Sequence, residues 1–181
     1  SNTCYEGNHM KFAGITIRDR TIPLWAMGAS AAALVIALLS QHWGGLLPCD
    51  LCLWQRIPHG VVIVIGMGAL LWFQRPQERM LLSWLAAIVF SVGACIALYH
   101  AGIEQHWIKG PVSCSGDATL NEVQNIDKLR NLLLATRPVR CDEIPWSLFG
   151  LSIAAWNALV SILLALICGV AGLRQLREKT E

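Results

Sequence analysis

Residues 80–103 read MLLSWLAAIVFSVGACIALYHAGI, with no Asp, Glu, Lys or Arg anywhere in the run. A helix needs roughly 20 apolar residues to cross the hydrocarbon of a bilayer, and this stretch is long enough. Three further charge-free stretches flank it, at 21–49, 57–74 and 144–173, and the second of these is only just long enough. The chain has 181 residues, 55% hydrophobic and 14% charged, against the roughly 25% charge of an ordinary soluble domain. Burying four such segments in a soluble protein would require four helices with almost no polar face. The expectation is an all-α protein, a four-helix transmembrane bundle with helices at about 22–43, 57–74, 80–99 and 147–171, forming one membrane domain over 22–171.

Pro76 stops the second helix, and the polar run Arg75-Pro76-Gln77-Glu78-Arg79 turns the chain into the third. Two longer connections remain, about 44–56 and 100–146. In the second, Thr119 and Glu122 fit a capping box. Leu120, Val123, Ile126, Leu129, Leu132 and Leu133 then recur near helical spacing until Pro138, so a short amphipathic helix is expected at about 119–135, packed on the bundle or lying in the membrane interface. Residues 1–9 read as a cloning remnant before a start at Met10, and Cys4 is set aside with them. No cleavable signal peptide is evident.

Lysine and arginine near helix ends set orientation. Lys11, Arg18 and Arg20 (segment 10–21), Arg75 and Arg79, and Arg174, Arg177 and Lys179 (tail 172–181) all fall on one side of a four-crossing chain, which should be the cytoplasm. Both cysteine-bearing loops then face outward, and both termini are cytoplasmic. The net charge of +2 carries no nucleic-acid footprint. The expected helix interiors hold no charge to couple a transported ion.

Seven cysteines divide by place. Cys95 and Cys168 fall within helices 3 and 4, where lone cysteines are usually inert core residues. Cys49, Cys52, Cys114 and Cys141 lie on the outward side, where disulfides persist. Cys49 and Cys52 form a Cys-x-x-Cys pair at the start of helix 2, where the helix dipole and unpaired amides stabilise a thiolate. Arg56, one turn after Cys52, can share its face and add positive charge. Cys52 is therefore expected to have a depressed pKa and to be the electron-donating thiolate. Cys114 and Cys141 suit a static loop-closing disulfide worth roughly 3 kcal/mol, or one half of a disulfide relay. Zinc is the other use of four cysteines, but only one Cys-x-x-Cys knuckle is present. Two readings of other classes stay open. One is a membrane cytochrome, with haem held among His42, His59, His100 and His106. The other is a non-enzymatic membrane protein with two structural disulfides.

Pro48-Cys49-Asp50-Leu51-Cys52-Leu53-Trp54-Gln55-Arg56 resembles the Cys-x-x-Cys-x-x-x-Arg signature of the DsbB disulfide bond formation proteins. The run Cys141-Asp142-Glu143-Ile144-Pro145-Trp146-Ser147-Leu148-Phe149-Gly150-Leu151-Ser152 resembles that family's second-loop cysteine leading into its fourth helix. Order, spacing and topology match over roughly 20–175. The resemblance implies an inner-membrane thiol oxidase that reoxidises a periplasmic DsbA-like thioredoxin-fold protein and passes the electrons to a quinone, ubiquinone or menaquinone. By position, Cys114 would form the mixed disulfide with that partner. Cys141 would resolve it and engage Cys49, and Cys52 would face the quinone. Arg56 would bind the quinone, with His100 near it; His106 lies close by in the sequence. Gln55 stands where the family often has Glu. Trp43, Trp54 and Trp107 read as aromatic-belt anchors, and Trp54 is the one expected to contact the quinone ring.

Overall fold

The computed structural model describes residues 9–12, 15–18, 21–72, 75–111 and 140–180. Two short strands, β1 (His9–Phe12) and β2 (Ile15–Arg18), pair antiparallel ahead of the helices. Helices α1 (Ile22–His42), α2 (Asp50–Leu71), α3 (Pro76–Glu104) and α4 (Ile153–Thr180) follow, with a two-residue hairpin, β3 (Ser147–Leu148) and β4 (Leu151–Ser152), just before α4. All four helices are long and apolar enough to cross a membrane, and the protein is the four-helix bundle expected. The expected amphipathic helix at 119–135 lies outside the described residues.

Close contacts set the helices antiparallel in turn. A Cβ on Gly66, late in α2, would lie 2.3 Å from Met27 Cβ, early in α1. Gly93, late in α3, faces Pro58, early in α2, and Gly172, late in α4, faces Trp84, early in α3. Small residues at such crossings let helix backbones approach where hydrophobic exclusion does not drive them together. The core between the helices is built from Ile22, Ala26, Val62, Ala86, Ala87, Phe90, Cys168 and Ala171. Outside it, large apolar side chains such as Val64, Ile36 and Leu166 stand exposed, as a lipid-facing surface requires. Arg75, Arg79, Arg174 and Arg177 gather at one end of the bundle, and the Cys49–Cys52 pair lies at the other.

Three helix starts differ from the expected ones. Helix α2 begins at Asp50 rather than 57, because Cys49 caps it and the amphipathic turn holding Asp50 and Arg56 precedes the charge-free run. Pro76 opens α3 rather than merely ending the helix before it: its fixed φ suits the first turn, and the Glu78 carboxylate accepts the Arg75 backbone N–H at 3.0 Å. Helix α3 also runs on to Glu104, which places His100 in a helix and not in a loop. Helix α4 starts at Ile153 rather than 147, because Phe149 and Gly150, both at positive φ (53° and 78°), turn the chain back on itself. Cys95 is exposed on the bundle surface instead of in the core, whereas Cys168 is buried.

Candidate functional site

The thiol pair is built by the start of α2. Cys49 has extended backbone and acts as N-cap, its sulfur accepting the backbone N–H of Cys52 at 3.3 Å. The helical turn that follows brings the two sulfurs to 2.9 Å, with the Cys49 thiol donating to Cys52 Sγ. That bond is the main cause holding the Cys49 pKa above the usual thiol value; burial adds to it, and the contact with His100 opposes it. Among the described residues Cys49, Cys52, Cys95 and Cys168 are free thiols. Cys141 is disulfide-bonded; its partner, like Cys114, lies outside the described residues. Cys49, Ile103 and Cys141 form one buried cluster with Cys52 packed against it, so cysteines of the two loops meet under the same cover.

His100 reaches this cluster from α3. Its Nε2 is 3.6 Å from Cys49 Sγ and 3.9 Å from Glu104 Oε1, and its Nδ1 is 2.7 Å from Gln55 Nε2. His106 is exposed and takes no part. Glu104, one turn beyond His100, is buried and accepts a hydrogen bond from the Ser152 hydroxyl. Sequence reasoning missed Glu104 because it placed the residue in a loop. As a helical neighbour of His100 at four residues' spacing it would have been visible. Asn157 was also missed. Its Nδ2 donates to Gln55 Oε1 at 2.6 Å, and its Oδ1 lies 3.0 Å from His59 Nε2; a lone amide in a charge-free stretch was the available signal. Arg56 donates to Gln41 Oε1 of α1 at 3.0 Å.

A cavity of about 740 Å³ adjoins these groups, within the roughly 300–1,000 Å³ of small-molecule sites. Cys49, Cys52, Gln55, Arg56, His59, His100, Glu104 and Asn157 are among the residues of its polar side; Ala33, Leu34 and Ala37 of α1 and Trp156 and Val160 of α4 are among its apolar walls. Trp54 is not among the lining residues and is largely exposed. It follows Cys52 by two residues, which on a helix places it on the far face, whereas Arg56 at four residues shares the cavity. Trp146 and Trp156 are the tryptophans that line it.

The donor atoms of Cys49, Cys52 and His100 lie within 4.8 Å of one another. Two sulfurs on one tetrahedral zinc would stand about 3.8 Å apart, so the 2.9 Å separation is too short for a shared ion. Both buried histidines have each ring nitrogen within reach of a side-chain partner, Ser30 and Asn157 for His59 and Gln55 and Cys49 for His100, which leaves no nitrogen clear for haem iron.

The family model "Disulfide bond formation protein DsbB" matches residues 19–171. The chain belongs to the DsbB family. Disulfide bond formation protein B of Stutzerimonas stutzeri is 29% identical over 82% of this chain and 91% of its own length. That of Dechloromonas aromatica is 30% identical, covering 77% and 81%, and that of Verminephrobacter eiseniae 31%, covering 81% and 85%. No solved structure matches the chain. As a DsbB-family member with four membrane-capable helices, the protein is a multi-pass membrane disulfide oxidoreductase.

Proposed function

We propose that the protein reoxidises a periplasmic DsbA-like dithiol protein and passes the electrons through two cysteine pairs to a membrane quinone. The observation that carries this reading is the burial of disulfide-bonded Cys141 against Cys49, beside a cavity that the Cys49–Cys52 pair lines. Disulfide exchange needs a thiolate in contact with a disulfide sulfur, and that cluster offers the contact. In this reading Cys114 and Cys141 are the outer pair. A partner thiolate attacks Cys114, and Cys141 leaves with the electron pair of their bond. Cys141 then attacks Cys49 of the oxidised inner pair, which frees Cys52.

The cavity suits a quinone in its donor set. Apolar walls from α1 and α4 would take the ring and the start of a lipid tail, and Arg56 and His100 would face the ring oxygens. A bound quinone supplies a two-electron, two-proton acceptor that diffuses in the lipid. The chain's own part is to hold Cys52 at the cavity wall and to keep bulk water out with Ile103, Leu51 and Trp146. Cys52 Sγ accepts the Cys49 proton in their hydrogen bond, which supports placing the negative charge on Cys52. The Lys/Arg distribution supports cytoplasmic termini and a periplasmic thiol end.

Quinone reduction by the purified protein in detergent, with a reduced DsbA-like protein as donor, tests this. Wild type should turn over with a ubiquinone or menaquinone analogue, and Cys52→Ser should lose turnover. No turnover by wild type with either analogue would end the reading. Cys141→Ala should trap the partner as a mixed disulfide through Cys114.

A further inference from the structure

A chain of five polar side chains, four of them buried, crosses the bundle from α1 to the thiols; Gln55, His59 and Asn157 also line the cavity, and the redox reading gives them no task. Ser30 Oγ (α1) is 3.3 Å from His59 Nδ1 (α2). His59 Nε2 meets Asn157 Oδ1 (α4), Asn157 Nδ2 meets Gln55 Oε1 (α2), and Gln55 Nε2 meets His100 Nδ1 (α3). Ser30, Gln55, His59 and His100 are all buried. An amide has a donor end and an acceptor end, so each link fixes the next. Asn157 presents its oxygen to His59 and also to the Ser161 hydroxyl at 3.5 Å, and must therefore turn its NH2 to Gln55. Gln55 accepts with its oxygen and turns its own NH2 to His100. His100 Nδ1 is thereby an acceptor, and the ring proton sits on Nε2. The other end of the chain agrees, since Nε2 faces Cys49 Sγ and the Glu104 carboxylate, both of which accept.

We propose that Asn157, held by His59, is a positioning residue for the thiol centre: through Gln55 it keeps His100 in the tautomer whose Nε2–H faces Cys49 Sγ. Asn157 touches neither cysteine. Its effect rests on the thiol-oxidase reading only for turnover, not for the tautomer. Once the partner's second thiolate has displaced Cys114 from their mixed disulfide, the Cys114 thiolate attacks Cys141 of the Cys141–Cys49 bond; the Cys114–Cys141 bond re-forms, and the electron pair and the negative charge pass to the leaving Cys49 Sγ. A donor already aimed at that sulfur stabilises the leaving thiolate. The opposite tautomer would present a lone pair to the same sulfur and repel the charge. Fixing a tautomer through the histidine's second nitrogen is a general device of working histidines.

The test is ¹⁵N NMR of histidine-labelled protein in detergent, recorded above the imidazole titration, beside quinone-reduction kinetics. Wild type should show His59 and His100 as Nε2–H tautomers, with His100 assigned by its loss in His100→Gln. In Asn157→Leu the His100 signal should shift toward a mixture of tautomers, and kcat should fall by about ten- to a hundredfold, the scale on which a histidine's second partner acts at metal centres, with KM for the protein dithiol unchanged. Asn157→Ser serves as a milder variant if Leu prevents folding. An Nδ1–H tautomer of His100 in wild type would overturn the proposal, as would lost turnover with an unchanged tautomer. A wild type that shows the expected tautomers but reduces no quinone would end the thiol-oxidase reading and leave this inference standing.

Discussion

The asymmetry between Cys49 and Cys52 comes from one hydrogen bond and one cap. Cys49 donates its thiol proton to Cys52 and is buried, and both effects hold its pKa above the ordinary thiol range. The folded state therefore binds this proton more tightly than the unfolded chain. The associated stability is fully present below the ordinary thiol pKa and is lost as the pH rises toward the folded value. Removing the acceptor should release the thiol. In Cys52→Ala the midpoint for alkylation of Cys49, followed by mass spectrometry against pH, should fall below that of the reduced wild type. An unchanged midpoint would mean that burial alone holds the proton. Ser152 has two tasks at this scale: its hydroxyl donates to buried Glu104, and its oxygen accepts the Ala155 N–H at 3.1 Å as the cap of α4. Ser152→Ala leaves a buried carboxyl with one partner fewer and a helix start uncapped. It should lower unfolding stability in detergent by about 1–3 kcal/mol.

At the scale of elements, the contacts between helices are close enough to resist added volume. Gly66→Val would put a branched side chain into Met27 at the α1–α2 crossing. It should cost about 1–3 kcal/mol, seen as a lower thermal midpoint with the helical circular dichroism retained; an unchanged midpoint would show that the helices can part freely. The four helices were legible in the sequence because charge is excluded from a lipid-facing run, and the four charge-free stretches mark them. Their starts were not legible by that rule. The first turns of α2 and α3 carry Asp50, Arg56, Glu78 and Arg79, which a search for apolar runs passes over. The hairpin before α4 is as apolar as a helix, and the positive φ of Phe149 and Gly150 distinguishes it. The site divides in the same way. Cys49, Cys52 and Arg56 declare themselves by spacing along one helix, Glu104 does so only once α3 is known to run past residue 99, and the partners of His59 and Asn157 come from packing between helices, which no local pattern encodes. Trp54 is exposed near the thiol end of α2, as an interface anchor would be, and lies outside the cavity lining.

For the whole molecule, the charged end and the thiol end are opposite poles of one bundle. Arg75, Arg79, Arg174 and Arg177 share one pole, with exposed Trp25 and Trp72 toward it, while exposed Trp43 and Trp107 mark the other. With the thiol pole outward, Arg75→Cys should resist a membrane-impermeant maleimide in intact cells and react once the membrane is opened. Trp107→Cys should react in both conditions, each read by peptide mass. The reverse pattern would invert the orientation. The polar chain from Ser30 to His100 touches all four helices, and its central link, Asn157, belongs to the last of them to leave the ribosome. Without that helix, His59 keeps Ser30 and Gln55 keeps His100, but each lacks its second partner inside the bilayer, where an unsatisfied polar group costs several kcal/mol. The order of synthesis thus follows the order of the polar chain: the helix that arrives last completes the hydrogen bonds of the other three.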